Sequence, residues 1–97
     1  MSNEDHKFES LDELAYNLKI LAMLAFYLNG QKWVLEPLIT NDHVEGWRFI
    51  NKSTDERHIV RIKNDIWDYD AVEQILNYQI DEKGTLKAQW DHIHLIY

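Results

Sequence analysis

The chain contains no cysteine. That removes disulfides, thiolate zinc sites and cysteine nucleophiles together, and fits a reducing compartment. Glycine is scarce, three in 97 residues. No Gly-x-Ser-x-Gly elbow, phosphate-binding loop or glycine-rich nucleotide fingerprint occurs. Serine nucleophiles find little support either, because Ser10 reads as a helix cap, Ser53 as a turn and Ser2 as part of a polar lead-in. No apolar run approaches the ~20 residues that a membrane-spanning helix needs. The first residues, MSNEDHKFES, lack the basic start, apolar core and cleavage site of a secretory signal. These absences lead to an expectation of a cytoplasmic, non-enzymatic protein with no cofactor. A single domain over 1–97 is expected, with residues 1–9 as a loosely held lead-in.

Positive charge is also in short supply. Ten Lys and Arg stand against 17 Asp and Glu, giving a net charge of −7 and a pI near 5.0. That balance disfavours a general nucleic-acid binder and attraction to an anionic membrane. Hydrophobic residues make up 45% and charged residues 28% of the chain, which places it among globular rather than disordered sequences.

The most fully specified stretch is Ser10 to Gly30. Ser10-Leu11-Asp12-Glu13 is a capping box, and Asp12 and Glu13 lie where a helix dipole favours negative charge. Phe8 precedes the cap and is placed to staple onto the first turn. Leu11, Leu14, Leu18, Leu21, Ala25 and Leu28 recur by threes and fours on one stripe. Asn29-Gly30 reads as the stop. The spacing therefore predicts one long helix over this stretch. Tyr16, Ile20, Met23 and Tyr27 form a second apolar stripe on its other side. Such a stripe is either core or an interface, and as an interface it predicts a homodimer.

Beyond the helix, Gln31 to Ile39 reads as a strand whose Pro37 makes it an edge or ends it. Thr40 to His43 is a turn by composition. Trp47–Lys52 and Glu56–Lys63 read as a hairpin, with Trp47, Phe49, Val60 and Ile62 beneath the helix. Arg48, Lys52, Arg57, Arg61 and Lys63 then share the outer face as a basic patch without an aromatic residue. Asp70-Ala71-Val72-Glu73 looks like a second capping box opening a short helix, although residues 71–80 also suit a strand. Thr85 to Tyr97 reads as the last strand. The expected fold is thus α+β: a long N-terminal helix on an antiparallel sheet of about four strands, with a short second helix before the last strand.

Two constellations can hold a metal. His92 and His94 point the same way if residues 92–94 are extended, with His58 or His43 as a third ligand. Asp65, Asp68 and Asp70 cluster, but the glycine and terminal glutamate of a calcium loop are missing. Neither signal is specific. The reading they leave is a small protein-interaction module, an inhibitor, immunity-type or regulatory partner, self-associating through the second helix stripe. The alternatives are a nucleic-acid-binding module using the basic hairpin face, and a metal-dependent enzyme using His92 and His94.

Overall fold

The helix that opens the fold, α1 (Leu11–Lys19), starts where the capping box places it and stops well short of Gly30. Ser10 Oγ accepts the Glu13 N–H at 3.2 Å, and the Glu13 carboxylate accepts the Glu9 N–H at 2.7 Å. The stop is a Schellman motif, with the Leu21 N–H bonded to the Leu18 carbonyl and the Ala22 N–H to that of Asn17, each at 3.0 Å. Leu21 holds the left-handed position with φ of 62°, a place normally taken by glycine. The Trp67 indole N–H adds a bond to the Lys19 carbonyl at 2.9 Å, satisfying another end group. The expectation of one long helix is therefore wrong. So is the continuous second stripe it would have carried.

The computed structural model describes residues 7–63 and 66–96. After α1 come β1 (Leu24–Leu28), β2 (Gln31–Thr40), β3 (His43–Asn51) and β4 (Glu56–Arg61) as an antiparallel meander. Next are α2 (Tyr69–Leu76) and a small hairpin of β5 (Gln79–Asp81) and β6 (Gly84–Thr85). A 3₁₀ turn (Trp90–His92) and β7 (His94–Leu95) finish the described chain. The main sheet has five strands in the order β4-β3-β2-β1-β7. The α+β class holds; the count of about four strands becomes five, because Leu24–Leu28 pairs with both β2 and β7.

The residues of β1 alternate with period two: Leu24, Phe26 and Leu28 are buried and Tyr27 is exposed. Asn29 and Gly30, with φ of 52° and 78°, form the two-residue type I′ turn into β2. What looked like a helix stop is a hairpin. Asn41 and Asp42 make the matching turn between β2 and β3, as the composition implied. Pro37 sits inside β2, a central strand. Its position is tolerated because β1 pairs with β2 only as far as Leu35, so at Pro37 the β1 side of β2 is open.

Both helices lie on one face of the sheet. Leu14 and Leu18 of α1 and Val72, Ile75 and Leu76 of α2 pack on Phe26, Leu35, Trp47 and Phe49 in one cluster. Phe8 joins it, only 6% exposed. The cap of α2 is Asp68, whose Oδ1 accepts the Ala71 N–H at 3.0 Å, rather than Asp70, which falls in the first turn. The expected strand over Thr85 to Tyr97 is mostly turn: Thr85 Oγ1 accepts the Ala88 N–H at 3.0 Å, and only His94–Leu95 pairs with β1.

Candidate functional site on the open face of the sheet

Period-two alternation fixes what the other face carries. With Trp33 and Leu35 buried on β2, Lys32, Val34 and Glu36 point outward. With Trp47, Phe49 and Asn51 buried on β3, Arg48 and Ile50 point outward. On β4 the outward set is Arg57, Ile59 and Arg61, and on β1 it is Ala25 and Tyr27. Directly opposed residues share a face. The register therefore sets Arg57, Ile50, Val34 and Ala25 in one row across four strands. Ile59, Arg48 and Glu36 form the adjacent row, and Lys32, Tyr27 and His94 another. Val34 and Ile50 neither join the core nor pack against it, and Tyr27 and Ile59 are about half exposed, at 48% and 49%.

The face is thus an apolar strip bordered by cations. Four cationic side chains (Lys32, Arg48, Arg57, Arg61) stand against the carboxylates of Glu36, Glu45 and Asp55 that meet the three arginines, which leaves +1 on the face of a chain whose total is −7. The arginines have local partners. Arg48 meets Glu36 at 2.7 Å, Arg61 meets Glu45 at 3.4 Å and Arg57 meets Asp55 at 3.8 Å. Glu45 is the extra residue of a β-bulge opposite Leu38 and Ile39, and it also takes a hydrogen bond from Thr40 Oγ1. The pairs of Arg57 and Arg61 are exposed, each worth about 0–1 kcal/mol, and that of Arg48 is partly buried. They hold the guanidinium groups in place without removing them from reach of a partner.

The structure sorts the residues singled out from sequence as follows. Arg48, Arg57 and Arg61 come together on the open face as the hairpin pattern implied. Lys52 lies in the β3–β4 loop, with its N–H on the Lys32 carbonyl at 2.7 Å, and Lys63 follows β4, its N–H held by the Gln74 side chain at 3.0 Å. Tyr16 and Ile20 are exposed on α1 and at its C-cap, Met23 is exposed just before β1, and Tyr27 is on β1. Because α1 covers the face bearing Phe26, Tyr27 points away from Tyr16 and Ile20, so the four form no single stripe. Tyr27 instead supplies the aromatic that the basic patch was expected to lack. Val34 and Lys32 were missed as members of the face. Their signal was the alternation of Lys32 to Glu36 itself, Trp33 and Leu35 in and their neighbours out.

His92 sits in the 3₁₀ turn, 3.7 Å from Asp91, and His94 in β7, so the extended geometry that would aim both imidazoles one way is absent. Among the described residues no group of three or more His, Cys, Asp or Glu side chains is placed to hold a metal ion. Asp65 lies outside the described residues, and Asp68 is committed to its cap. Among the described residues no helix is long and apolar enough to cross a membrane. Compared with protein-family models, with curated proteins and with solved structures, the chain has no match.

Proposed function

We propose that this protein is a small protein-binding module whose open sheet face docks an acidic protein surface with an apolar centre. The observation that carries this reading is that Tyr27, Val34, Ile50 and Ile59 share one face with Arg48, Arg57 and Arg61, while both helices pack on the other. Tyrosine and arginine are over-represented where proteins bind each other. The charge of the face favours one kind of partner. Cations outnumber carboxylates on the face, so two copies meeting face to face would bring like net charge together, and a different, acidic protein suits the surface better. Five strands at about 4.8 Å spacing and strand lengths of about 17 Å give a face near 400 Å² in projection. A standard interface buries about 800 Å² per partner, so a partner using this face alone binds transiently.

The test is selection of peptides on the purified protein from a library weighted toward Asp, Glu and aliphatic residues, followed by mapping of backbone amide shifts. The reading expects shifts centred on Tyr27, Val34, Ile50 and Ile59, and loss of binding in Ile59→Asp. Binders that map to the helices would sink it. Duplex or single-stranded DNA bound in place of peptides, with affinity falling steeply with salt, would favour the nucleic-acid alternative. Tyr27 gives that alternative one aromatic ring, and the net charge of −7 opposes it.

A further inference from the structure

The sheet ends in two unlike edges. β7 contributes only His94–Leu95, too short to template another strand. β4 runs over Glu56–Arg61, pairs with β3 in unbroken register, contains no proline and has only Val60 half-buried. Its bonding direction follows from two contacts with β3. The Ile62 N–H donates to the Glu45 carbonyl at 3.1 Å, and the Val60 carbonyl lies against Gly46. Val60 and Ile62 therefore point their backbone groups at β3, and alternation turns those of Arg57, Ile59 and Arg61 away from it. Among the described residues no strand pairs on that side. The N–H and C=O groups of these three residues stand in a row with no strand to bond.

The same three residues carry their side chains on the open face, so a strand added at this edge continues that face. The side chains select which strand fits. Residues directly opposed in an antiparallel pair share a face. A second copy fits badly. The register that uses all three residues pairs Ile59 with its own copy and sets each Arg57 against an Arg61, and like charges directly opposed are destabilising. A strand with a carboxylate opposite Arg57, an aliphatic residue opposite Ile59 and a carboxylate opposite Arg61 turns that repulsion into attraction. Asp55 and Glu45 already meet these arginines, at 3.8 and 3.4 Å. Those exposed pairs are worth about 0–1 kcal/mol each, and a guanidinium has donors left for a second carboxylate.

We propose that an acidic partner docks by adding an extended segment antiparallel to β4, in the pattern acidic-x-aliphatic-x-acidic, with backbone bonds to Arg57, Ile59 and Arg61. Antiparallel pairing matches the rest of the sheet and is slightly the more stable of the two directions. The backbone bonds supply affinity and the three side chains supply selectivity. Strand addition rests on the open-face reading and names the segment that docks there.

The probe is a capped heptapeptide, Thr-Glu-Thr-Ile-Thr-Glu-Thr, titrated into the full chain at low salt and followed by backbone amide shifts. Expected is saturable binding with Kd below about 1 mM, with the Arg57, Ile59 and Arg61 amides moving downfield and slowing in hydrogen exchange. In the antiparallel arrangement the peptide's isoleucine N–H faces β4, and the N–H of the threonine before it faces away. N-methylation of the isoleucine is therefore expected to weaken binding at least about tenfold, and N-methylation of that threonine to leave it within about threefold. Lysine in place of both glutamates should also cost at least about tenfold. Equal binding of the two N-methylated peptides, or no binding of the unmodified peptide up to about 5 mM, would overturn strand addition. The open-face reading is tested separately. N-methylated peptides that bind equally and still shift Tyr27, Val34 and Ile50 overturn strand addition alone, whereas library-selected peptides that map to the helices end both.

Discussion

Gly46 is the residue on which the position of β4 depends, and adding one methyl group there tests the packing of the open face. A Cβ built at Gly46 meets the Val60 carbonyl oxygen at 2.1 Å and the Arg61 Cα at 2.9 Å. Both are backbone atoms, so no side chain can swing aside. Restoring an ordinary contact of about 3.2 Å moves β4 outward by roughly 1 Å, and only β3 holds β4 in the sheet. The pairs nearest the clash are Gly46 with Arg61 and Trp47 with Val60. Losing two or three ladder bonds costs about 1 kcal/mol each, and partial exposure of Trp47 adds to it, so Gly46→Ala should destabilise the fold by about 2–4 kcal/mol. A domain of this size holds only about 5–15 kcal/mol in all. Gly30→Ala is the control. Its Cβ meets nothing within 4 Å, and its cost comes only from φ of +78°, roughly 1–2 kcal/mol. Urea unfolding of both variants gives the comparison. A Gly46→Ala cost at or below that of Gly30→Ala would refute the close approach of β3 and β4, and with it the placement of Ile59 and Arg61.

Other outcomes follow from single contacts. Asp68→Ala should cost about 1 kcal/mol in urea unfolding, the usual worth of an N-cap, and Asp70→Ala only a few tenths, because the cap is Asp68. Trp67→Phe keeps most of the ring packing on Trp47 (centroids 6.2 Å apart) but loses the bond to Lys19, so about 1 kcal/mol should go, with amide exchange rising at the end of α1. At Asp81 burial opposes the charge, but bonds from Asn29, Gln89 and the Lys83 and Gly84 backbone outweigh it and hold the folded pKa below the unfolded one, so the charged form favours folding. Its contribution is in place above about pH 4 and is lost as pH falls through the lowered folded value, so Asp81→Asn should flatten the acid limb of a stability–pH curve. Ile50→Asp, on the open face, should leave the unfolding midpoint nearly unchanged, because Ile50 takes no part in the core.

The sequence made some elements plain for physical reasons that also explain the failures. Ser10 to Glu13 carries a local, chemically specific start signal, and α1 begins there. Its stop is a leucine in the left-handed region, and no residue preference announces that. The apolar run from Leu24 to Leu28 fits period 2 as well as period 3.6, and a run that short cannot choose between them. Asn29-Gly30 was the arbiter: the same pair suits a helix end and a type I′ turn, and here the burial of Phe26 beneath α1 decides for the hairpin. Asp68 and Asp70 are two residues apart and chemically identical as caps. Arg48, Arg57 and Arg61 were legible on one face from the alternation of β3 and β4, whereas Lys52 and Lys63, read onto the same face, fall in the β3–β4 turn and beyond the end of β4. Tyr27 joined that face only through β1, a strand that the helical spacing concealed.

The central claim is that the open sheet face docks a partner. Affinity for a selected acidic peptide, measured by calorimetry on Ile59→Asp and on Tyr16→Asp, tests it most directly. Both residues are about half exposed, at 49% and 57%, so both variants should fold. Loss of at least about tenfold in Ile59→Asp, with Tyr16→Asp within about twofold of wild type, is what the account predicts. The reverse pattern would return the interface to α1 and contradict it.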